Sequence, residues 1–305
     1  MRKITTRIFI ALCVSSLYSY AQKGEWEKPG GIWEYNMSKK MPGQDSISGD
    51  NLQFASSAGK EAFLVSPPSG SAMVSSTKGN PSFIRKSGSN AGLKIRGAST
   101  DGSPTKFAVS GIKDATPVMS ISFTIKPDHN ATKTDWYFVL GKSSPIFTDP
   151  GTILPISKTG SSPNGHIFAS FRIQSNASFG DKASNNYRLQ LRQQPELEED
   201  ITWTNNNTAL FNKGKSHQVE IYANNGVTAQ KYTLNGTEHT LPARTYHLWI
   251  NSTQFGGNLP ANAIRRNQPI DAFLLMSRDA VAGTDGPSNL STLEINNVKV
   301  KYASK

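Results

Sequence analysis

The chain has 305 residues, a formal net charge of +11 and a single cysteine, Cys13. One cysteine excludes an internal disulfide and a multi-cysteine metal site, so the fold must be held by its hydrophobic core. The lysines and arginines are scattered, with no basic helix and no RNA-binding motif. This distribution argues against a nucleic-acid partner, and the net charge favours attraction to acidic polymers or anionic cell surfaces.

The N-terminus has the pattern of a secretory signal peptide over residues 1–21. Basic residues precede an apolar run at residues 8–17, and Ala21 is a small residue at the expected cleavage point. The run is shorter than the roughly 20 residues that span a bilayer, and no second apolar span follows, so we expect no membrane span. Cleavage removes Cys13 and three basic residues, which lowers the net charge from +11 to +8. We therefore expect a secreted protein of the periplasm, the cell surface or the medium.

The segment after the signal, residues 22–60, is less regular than the rest of the chain. Residues 31–36 and 51–55 fit short first strands of the same domain. The stretch 67–79 is rich in Ser, Gly and Pro, which predicts a long loop.

The clearest strand is predicted at residues 118–125, where Ile121, Phe123 and Ile125 alternate with Ser and Thr. A period of two is that of a strand with one buried face, and Pro127 is expected to end it. Similar runs predict further strands at residues 93–96, 106–112, 136–140, 167–173, 187–192, 218–222, 231–234, 246–251, 272–276 and 293–302.

Clusters of Gly, Asn, Ser and Pro separate these strands. The sequences Asn-Asn-Gly at 224–226 and Leu-Asn-Gly at 234–236 suit tight hairpin turns, because Asn and Gly tolerate a positive φ. The best helix candidate, residues 259–266, is short and has Pro260 near its start. About a dozen strands without a substantial helix predict an all-β fold, a two-sheet antiparallel β-sandwich or jelly roll. We expect residues 22–305 to form one such domain.

Four segments of this pattern resemble a known superfamily. They are residues 120–127, 136–141, 217–225 and a C-terminal 293–300 that ends in Asn-Val-Lys-Val. Their order and spacing resemble the concanavalin A-like (laminin-G-like) jelly-roll superfamily, in particular secreted domains of that type from Bacteroidetes-like bacteria. That superfamily includes lectins, adhesion modules, glycoside hydrolases and polysaccharide lyases. The resemblance implies a carbohydrate ligand without naming a reaction.

Strand alternation also predicts a candidate binding face. On the strand at 167–173, the residues expected inside are Ile167, Ala169, Phe171 and Ile173. If four of the strands are neighbours in one sheet, their outward side chains form a single surface. Arginine pairs with carboxylate or sulfate, and Tyr and Trp offer flat apolar area with a polar edge. The predicted glycan-binding residues are Arg172, Arg188, Gln190, Arg192, Gln218, Glu220, Tyr222, His247 and Trp249. The alternative is an ordinary polar solvent face of an antiparallel sheet.

Catalytic and metal-binding patterns are sparse. The Glu-x-Asp-x-x-Glu strand that retaining glucanases of this superfamily use does not occur, nor do the motifs of similar lyases. A lyase would use Tyr222, or one of His166 and His247, as the base, with Arg188 and Gln190 neutralising a uronate carboxylate. No cofactor is expected apart from calcium, for which the candidate ligands are Asp279 and Asp285.

The leading hypothesis is therefore a secreted, non-catalytic carbohydrate-binding or adhesion protein, whose partner is a polysaccharide or a cell-surface glycan. The first alternative is an enzyme that acts on acidic polysaccharide, for which the sequence favours a polysaccharide lyase over a glycoside hydrolase. The second is a structural cell-surface protein without a small ligand.

Overall fold

The computed structural model describes residues 24–37, 45–56, 62–87, 91–100, 102–128, 134–155, 164–175, 186–197, 199–204, 209–279 and 291–304. The predicted signal peptide lies outside these ranges. The strands are β1 (Glu25–Trp26), β2 (Pro29–Tyr35), β3 (Ser46–Ser48), β4 (Gln53–Ala55), β5 (Ser71–Ser76), β6 (Ser82–Lys86), β7 (Gly92–Arg96), β8 (Thr105–Ser110), β9 (Val118–Asp128), β10 (Thr134–Gly141), β11 (Ile167–Ser175), β12 (Asn186–Gln193), β13 (Thr202–Trp203), β14 (Ala209–Asn212), β15 (His217–Asn224), β16 (Gln230–Leu234), β17 (Thr237–Leu241), β18 (Thr245–Ile250), β19 (Thr253–Pro260), β20 (Ala272–Asp279) and β21 (Thr292–Ala303). The described residues also form a four-residue helix, α1 (Pro145–Thr148), and a 3-10 turn (Asn164–His166). Within the described ranges, no helix is long and apolar enough to cross a membrane.

Two large antiparallel sheets form a sandwich, which confirms the predicted fold class. Sheet I has nine strands in the order β13-β12-β11-β10-β20-β8-β5-β4, with β14 beside β12. Sheet II also has nine strands, in the order β19-β18-β15-β9-β21-β7-β6-β3, with β2 beside β21. A separate small sheet has the order β1-β16-β17.

The inner faces of the two large sheets share one hydrophobic core. Phe123 of sheet II stacks on Phe138 of sheet I, with ring centroids 4.8 Å apart. Phe138 also stacks on Phe171 of the next strand, at 5.3 Å. Alternation along each strand supplies these residues, because every second side chain points to the same face. Burial of this apolar area is the main favourable contribution to folding.

Both sheets are also partly covered on their outer faces. On sheet I, Ile146 and Phe147 of α1 pack against outward residues of β10 and β20, such as Val139 and Leu274. On sheet II, the small sheet packs against one end of β15 and β18. An outward-pointing side chain in this protein is therefore not necessarily exposed to solvent.

Several local predictions are wrong for identifiable reasons. Residues 67–79 contain β5, which pairs with β4 and β8 in sheet I and has buried apolar side chains. Strand β9 continues past its predicted end, since Pro127 lies opposite Leu293 on β21. No helix forms at 259–266, where β19 ends and an irregular segment follows.

The two predicted asparagine turns differ in outcome. Asn235 and Gly236 have positive φ values of 50° and 80° and connect β16 to β17, which confirms that hairpin. Asn224 and Asn225 are instead buried, and their side-chain amides donate to backbone carbonyls of loops nearby, including Leu241 and Arg265. They tie loops together and do not form a hairpin turn, because β15 pairs with β9 and β18.

A β-bulge reverses part of the predicted alternation on β11. Leu140 lies opposite Ala169, whereas Gly141 lies opposite Ile167, so Phe168 is the extra residue. As a result Phe168 points into the main core and Ile167 into the outer cluster under α1. A bulge changes which face a side chain occupies without a change in the hydrophobic pattern.

Candidate functional site

The predicted glycan-binding residues do not form a single surface. Those on β11 and β12 belong to sheet I: Arg172, Arg188, Gln190 and Arg192. Those on β15 and β18 belong to sheet II: Gln218, Glu220, Tyr222, His247 and Trp249. The outer faces of the two sheets of a sandwich point in opposite directions, so the expectation of one shared face is wrong. Alternation tells which face of a strand is outward but not which sheet the strand joins.

Arg172 belongs to a saturated polar network on the outer face of sheet I. Its Nε donates to Gln190 Oε1 at 2.5 Å, and its guanidinium carbon lies 4.4 Å from the centroid of the Trp203 ring. Its Nη1 lies 3.6 Å from Oδ2 of the buried Asp135, which also accepts a hydrogen bond from Gln174. These contacts occupy the guanidinium, and the half-buried Trp203 covers one of its faces.

Arg192 has a structural role inside the protein. Its side chain is fully buried, and burial lowers its pKa to about 10. Its guanidinium donates to neutral oxygens of four surrounding residues: Pro155, Asn164, Gln194 and Asn262. These bonds hold loops over the outer face of sheet I, so the predicted ligand role of Arg192 does not fit its surroundings.

His247 and Trp249 are covered by the small sheet. Trp249 Nε1 donates to the hydroxyl of Tyr232 at 3.0 Å, and that hydroxyl lies 2.6 Å from His247 Nδ1. His247 Nε2 lies 2.6 Å from Asn258 Oδ1. The carbonyl oxygen can only accept, so the imidazole proton is on Nε2 and Tyr232 donates to Nδ1. Burial lowers the pKa of His247, and neither side chain offers an open ligand surface.

The other three sheet II residues line a groove of about 730 Å3 on the outer face of that sheet. The lining residues are Gly24, Glu25, Glu34, Tyr35, Asn36, Met37, Ala91, Ser120, Ile121, Ser122, Gln218, Glu220, Tyr222, Asn297, Val298, Lys299 and Lys301. They come from β9, β15 and β21 in the floor and walls, with β1 and β2 at the sides. Cavities of roughly 300–1,000 Å3 are typical of small-molecule sites.

The groove follows from side-chain size across neighbouring strands. Ser122 of β9 lies between Glu220 of β15 and Lys299 of β21. Ser120 lies in the same way between Tyr222 and Lys301. A line of small side chains between two lines of long ones leaves a trough that runs along β9, with serine hydroxyls at its floor.

Glu220 and Tyr222 form one end of the groove wall. Glu220 is 3% exposed, and the hydroxyl of Tyr222 donates to its Oε2 at 2.8 Å. Burial raises the pKa of Glu220 to about 7, against the opposing effects of the Tyr222 hydrogen bond and the positive charge of Lys301. Burial also raises the pKa of Tyr222, so its phenol stays protonated and remains a donor.

Two further polar side chains of the groove, Lys301 and Gln218, are held by neighbouring groups. Lys301 Nζ donates to Glu25 Oε1 at 3.1 Å and to the backbone oxygen of Gly24. Thr124 Oγ1 donates to Gln218 Oε1 at 3.0 Å, which fixes the orientation of that amide. The groove thus presents hydroxyl, amide, carboxyl and ammonium groups in fixed positions.

The residues that the lyase hypothesis assigns to one active site do not lie together. Tyr222 lines the groove on sheet II, whereas Arg188 and Gln190 lie on β12 and His166 precedes β11, both of sheet I. That assignment is therefore wrong as a single catalytic site.

The calcium candidates stay untested. Asp279 is the last residue of β20, and Asp285 lies outside the described residues. In the ranges that the structure describes, no group of three or more His, Cys, Asp or Glu side chains could hold a metal ion.

The sequence-based prediction missed the residues that create the groove. Ser120 and Ser122 are the outward set of the best predicted strand, and Lys299 and Lys301 are outward on the last strand. The sequence did show that the outward side chains at the start of this strand are small. That observation indicates a groove only when the neighbouring strands and their long side chains are known.

No protein-family model matches the sequence, and no curated protein sequence matches it either. Among solved structures, the chain is similar to a sialidase at 12% identity and a TM-score of 0.36, covering 77% of this chain and 16% of the sialidase. It is similar to the binding domain of botulinum neurotoxin DC in complex with SialylT at 13% identity and a TM-score of 0.39, covering 80% and 46% of the two chains. It is also similar to an apo Crh5 transglycosylase at 12% identity and a TM-score of 0.39, covering 91% and 90%. The chain thus spans less than half of the first two, and TM-scores below 0.5 identify neither a superfamily nor a function.

Proposed function

We propose that the protein is a secreted carbohydrate-binding protein and that the groove along β9 is its binding site. The observation that carries the proposal is the groove itself, about 730 Å3 with serine hydroxyls at its floor and amide, carboxyl and ammonium groups on its walls. Sugar hydroxyls both donate and accept hydrogen bonds, so a saccharide site needs both kinds of group. The partner is a polysaccharide or a cell-surface glycan.

The fixed orientation of the wall residues supports this proposal. Glu220, Gln218 and Lys301 are each held by a neighbour inside the protein. Side chains ordered before the ligand arrives lose less conformational entropy on binding. The predicted signal peptide and the resemblance to concanavalin A-like jelly rolls agree with an extracellular glycan ligand.

Blocking the groove tests the proposal. Ser122→Trp places a large side chain on the floor, and Thr253→Trp on the edge strand β19 is the matched control, since Thr253 is exposed and outside the groove. We expect the native protein and the control to bind at least one class of glycan on an array, and Ser122→Trp to bind none. Equal binding by both variants, or no binding by the native protein, would contradict the proposal. Thermal melting establishes that both variants fold.

A second candidate function is the hydrolysis of a glycosidic bond, which Glu220 specifically favours. A carboxyl group with a pKa of about 7 still holds its proton near neutral pH and can act as a general acid. However, hydrolysis needs a second carboxyl group, roughly 5–9.5 Å from the first. The other two carboxylates that line the groove, Glu25 and Glu34, are each engaged in an ion pair, with Lys301 and Lys299. Binding without turnover is therefore the better supported function.

The enzymatic candidate has its own test. Purified protein is incubated with the glycans that it binds, and new reducing ends are measured. Hydrolysis that Glu220→Gln abolishes while binding persists would establish the activity. The absence of product from the native protein would eliminate it.

A further inference from the structure

The outward line of β9 continues beyond the groove into a basic row. After Ser120, Ser122 and Thr124, the next outward residue is Lys126, which lies opposite Glu294 of β21. Glu294 in turn lies opposite Lys94 of β7. The outer face of sheet II therefore carries a lysine, a glutamate and a lysine side by side, on strands about 4.8 Å apart.

The carboxylate in this row already has another partner. Lys86 of β6 forms an ion pair with Glu294, while Lys94 and Lys126 occupy the positions opposite Glu294 on its two neighbouring strands. Lys94 and Lys126 are half-buried, which is typical of lysines that lay their stems along a surface and keep the charged end in water.

The neighbouring row adds one cation and one carboxylate. Arg96 lies opposite Thr292, which lies opposite Asp128, and Arg96 Nη2 also donates to the backbone oxygen of Asn80 at 3.0 Å. Together, the two rows and Lys86 place four cationic side chains against two carboxylates, those of Glu294 and Asp128. The end of β9 farther from Tyr222 is thus a positively charged surface that continues the groove.

We propose that the ligand of the groove is an anionic polysaccharide that lies along β9, with its carboxylate or sulfate groups bound by Lys94 and Lys126. This inference rests on the proposed function and adds the class of ligand to it. Ser120 and Lys126 are six residues apart on one strand, which corresponds to about 20 Å, so the surface suits a chain and not a single sugar. A lysine ammonium is a compact point charge that accepts either anion without a fixed geometry.

The experiment compares polymers that differ only in charge. Polygalacturonate is compared with its methyl ester, and dextran sulfate with dextran, so that the two pairs separate carboxylate from sulfate as the source of the charge. We expect the charged member of at least one pair to bind about tenfold more tightly than its neutral partner, an effect of about 1.4 kcal/mol. Because the contacts are at the surface, added NaCl should weaken this binding.

Two double variants locate the charge effect. The double variant Lys94→Met with Lys126→Met removes both lysines of the row. The double variant Lys113→Met with Lys142→Met removes the same amount of positive charge from loops at the ends of sheet I strands. We expect the first to lose about tenfold in affinity for the charged polymer at low salt and the second to bind like the native protein. Lys94→Gln with Lys126→Gln repeats the test with a polar replacement, should the methionine variant fold poorly.

The outcomes separate this inference from the proposed function. If neutral and charged polymers bind equally, or if the variants of the row bind like the control, the proposal of an anionic ligand is wrong. The proposal that a glycan binds in the groove is then unaffected. If no polymer or glycan binds at all, the proposed function fails and this inference fails with it.

Discussion

The hydroxyl of Tyr222 donates to the carboxyl group of Glu220, two residues earlier on the same strand, at 2.8 Å. The Tyr222 ring is stacked on Tyr232 of the small sheet, with centroids 3.7 Å apart and planes within 7°. Trp26 of β1 packs edge-on against both rings. The small sheet therefore holds the phenol that orients the buried carboxyl of the groove, which links a peripheral element to the candidate site.

The first prediction concerns the effect of pH on stability through Glu220. Its pKa is about 7 in the folded protein, above the ordinary value of 4.5, so folding favours the protonated form. The stability that this group contributes is complete below about pH 4.5 and is lost as the pH rises through 7. We expect the native protein to lose stability relative to Glu220→Gln between pH 5 and pH 8, by an amount on the order of 2 kcal/mol. The histidines whose pKa values are lowered by burial, such as His217 and His247, titrate in both proteins, so their effect cancels in this comparison.

Urea unfolding at several pH values checks this prediction. Glu220→Gln should remove the loss, because the amide does not ionise and its oxygen still accepts from Tyr222. Glu238→Gln on the small sheet is the control, since that carboxylate is exposed. Parallel stability curves for the native protein and Glu220→Gln would show that Glu220 is not the titrating group.

The second prediction concerns Gly24, whose backbone touches the Tyr222 hydroxyl. A Cβ atom at Gly24 would lie 1.4 Å from Tyr222 Oη. Because the Tyr222 ring is enclosed by Tyr232 and Trp26, it cannot move aside freely. Gly24→Ala should therefore destabilise the protein by about 1–3 kcal/mol, as overpacking does, and weaken glycan binding.

A second glycine provides the control for this substitution. A Cβ atom at Gly31 of β2 would meet no atom within 4 Å, so Gly31→Ala should leave the melting temperature and the affinity nearly unchanged. Equal melting temperatures for the two variants would mean that the contact between Gly24 and Tyr222 has no energetic importance.

The strands could be predicted from the sequence because the alternation of apolar residues along each strand reflects which of its side chains are buried. Ile121, Phe123 and Ile125 are apolar at every second position, and all are buried in the core. The Asn235-Gly236 turn was predictable for a similarly local reason, since positive φ values are required there.

The candidate site depended on relations that a local pattern does not contain. Arg172 and Gln218 look equivalent along their strands, yet they lie on opposite sheets because strand order is set by long-range pairing. Trp249 is outward by alternation but buried, because the small sheet covers it. The floor of the groove at Ser122 is recognisable only when Glu220 and Lys299 are known to be its neighbours.

The third prediction concerns Lys106, which anchors the segment over sheet I. Its buried ammonium donates to the backbone oxygens of Ile146 at 3.3 Å and Asp149 at 2.7 Å, and to that of Thr152. Lys106→Met would leave these carbonyls without their donor. An unsatisfied buried acceptor costs about 1–3 kcal/mol, so we expect a loss of about 2 kcal/mol or more in urea unfolding.

Limited proteolysis distinguishes a local loss of stability from a global one in this variant. Cleavage within residues 143–155 should become faster in Lys106→Met, whereas Lys113→Met, an exposed lysine, should behave like the native protein. Unchanged stability and unchanged cleavage would show that the carbonyls find other donors.

The fourth prediction tests whether Arg192 is structural or binds ligand. Its guanidinium reaches Asn164 and Gln194 through Nη2 and Asn262 through Nη1, and a lysine cannot reproduce this forked geometry. Arg192→Lys should therefore lower the free energy of unfolding by about 2–3 kcal/mol, while glycan affinity, measured below the melting temperature, stays native. Arg266→Lys at an exposed position should change neither quantity. A loss of affinity without a loss of stability would return Arg192 to the ligand role that alternation alone predicted, on the face of the sandwich opposite the groove.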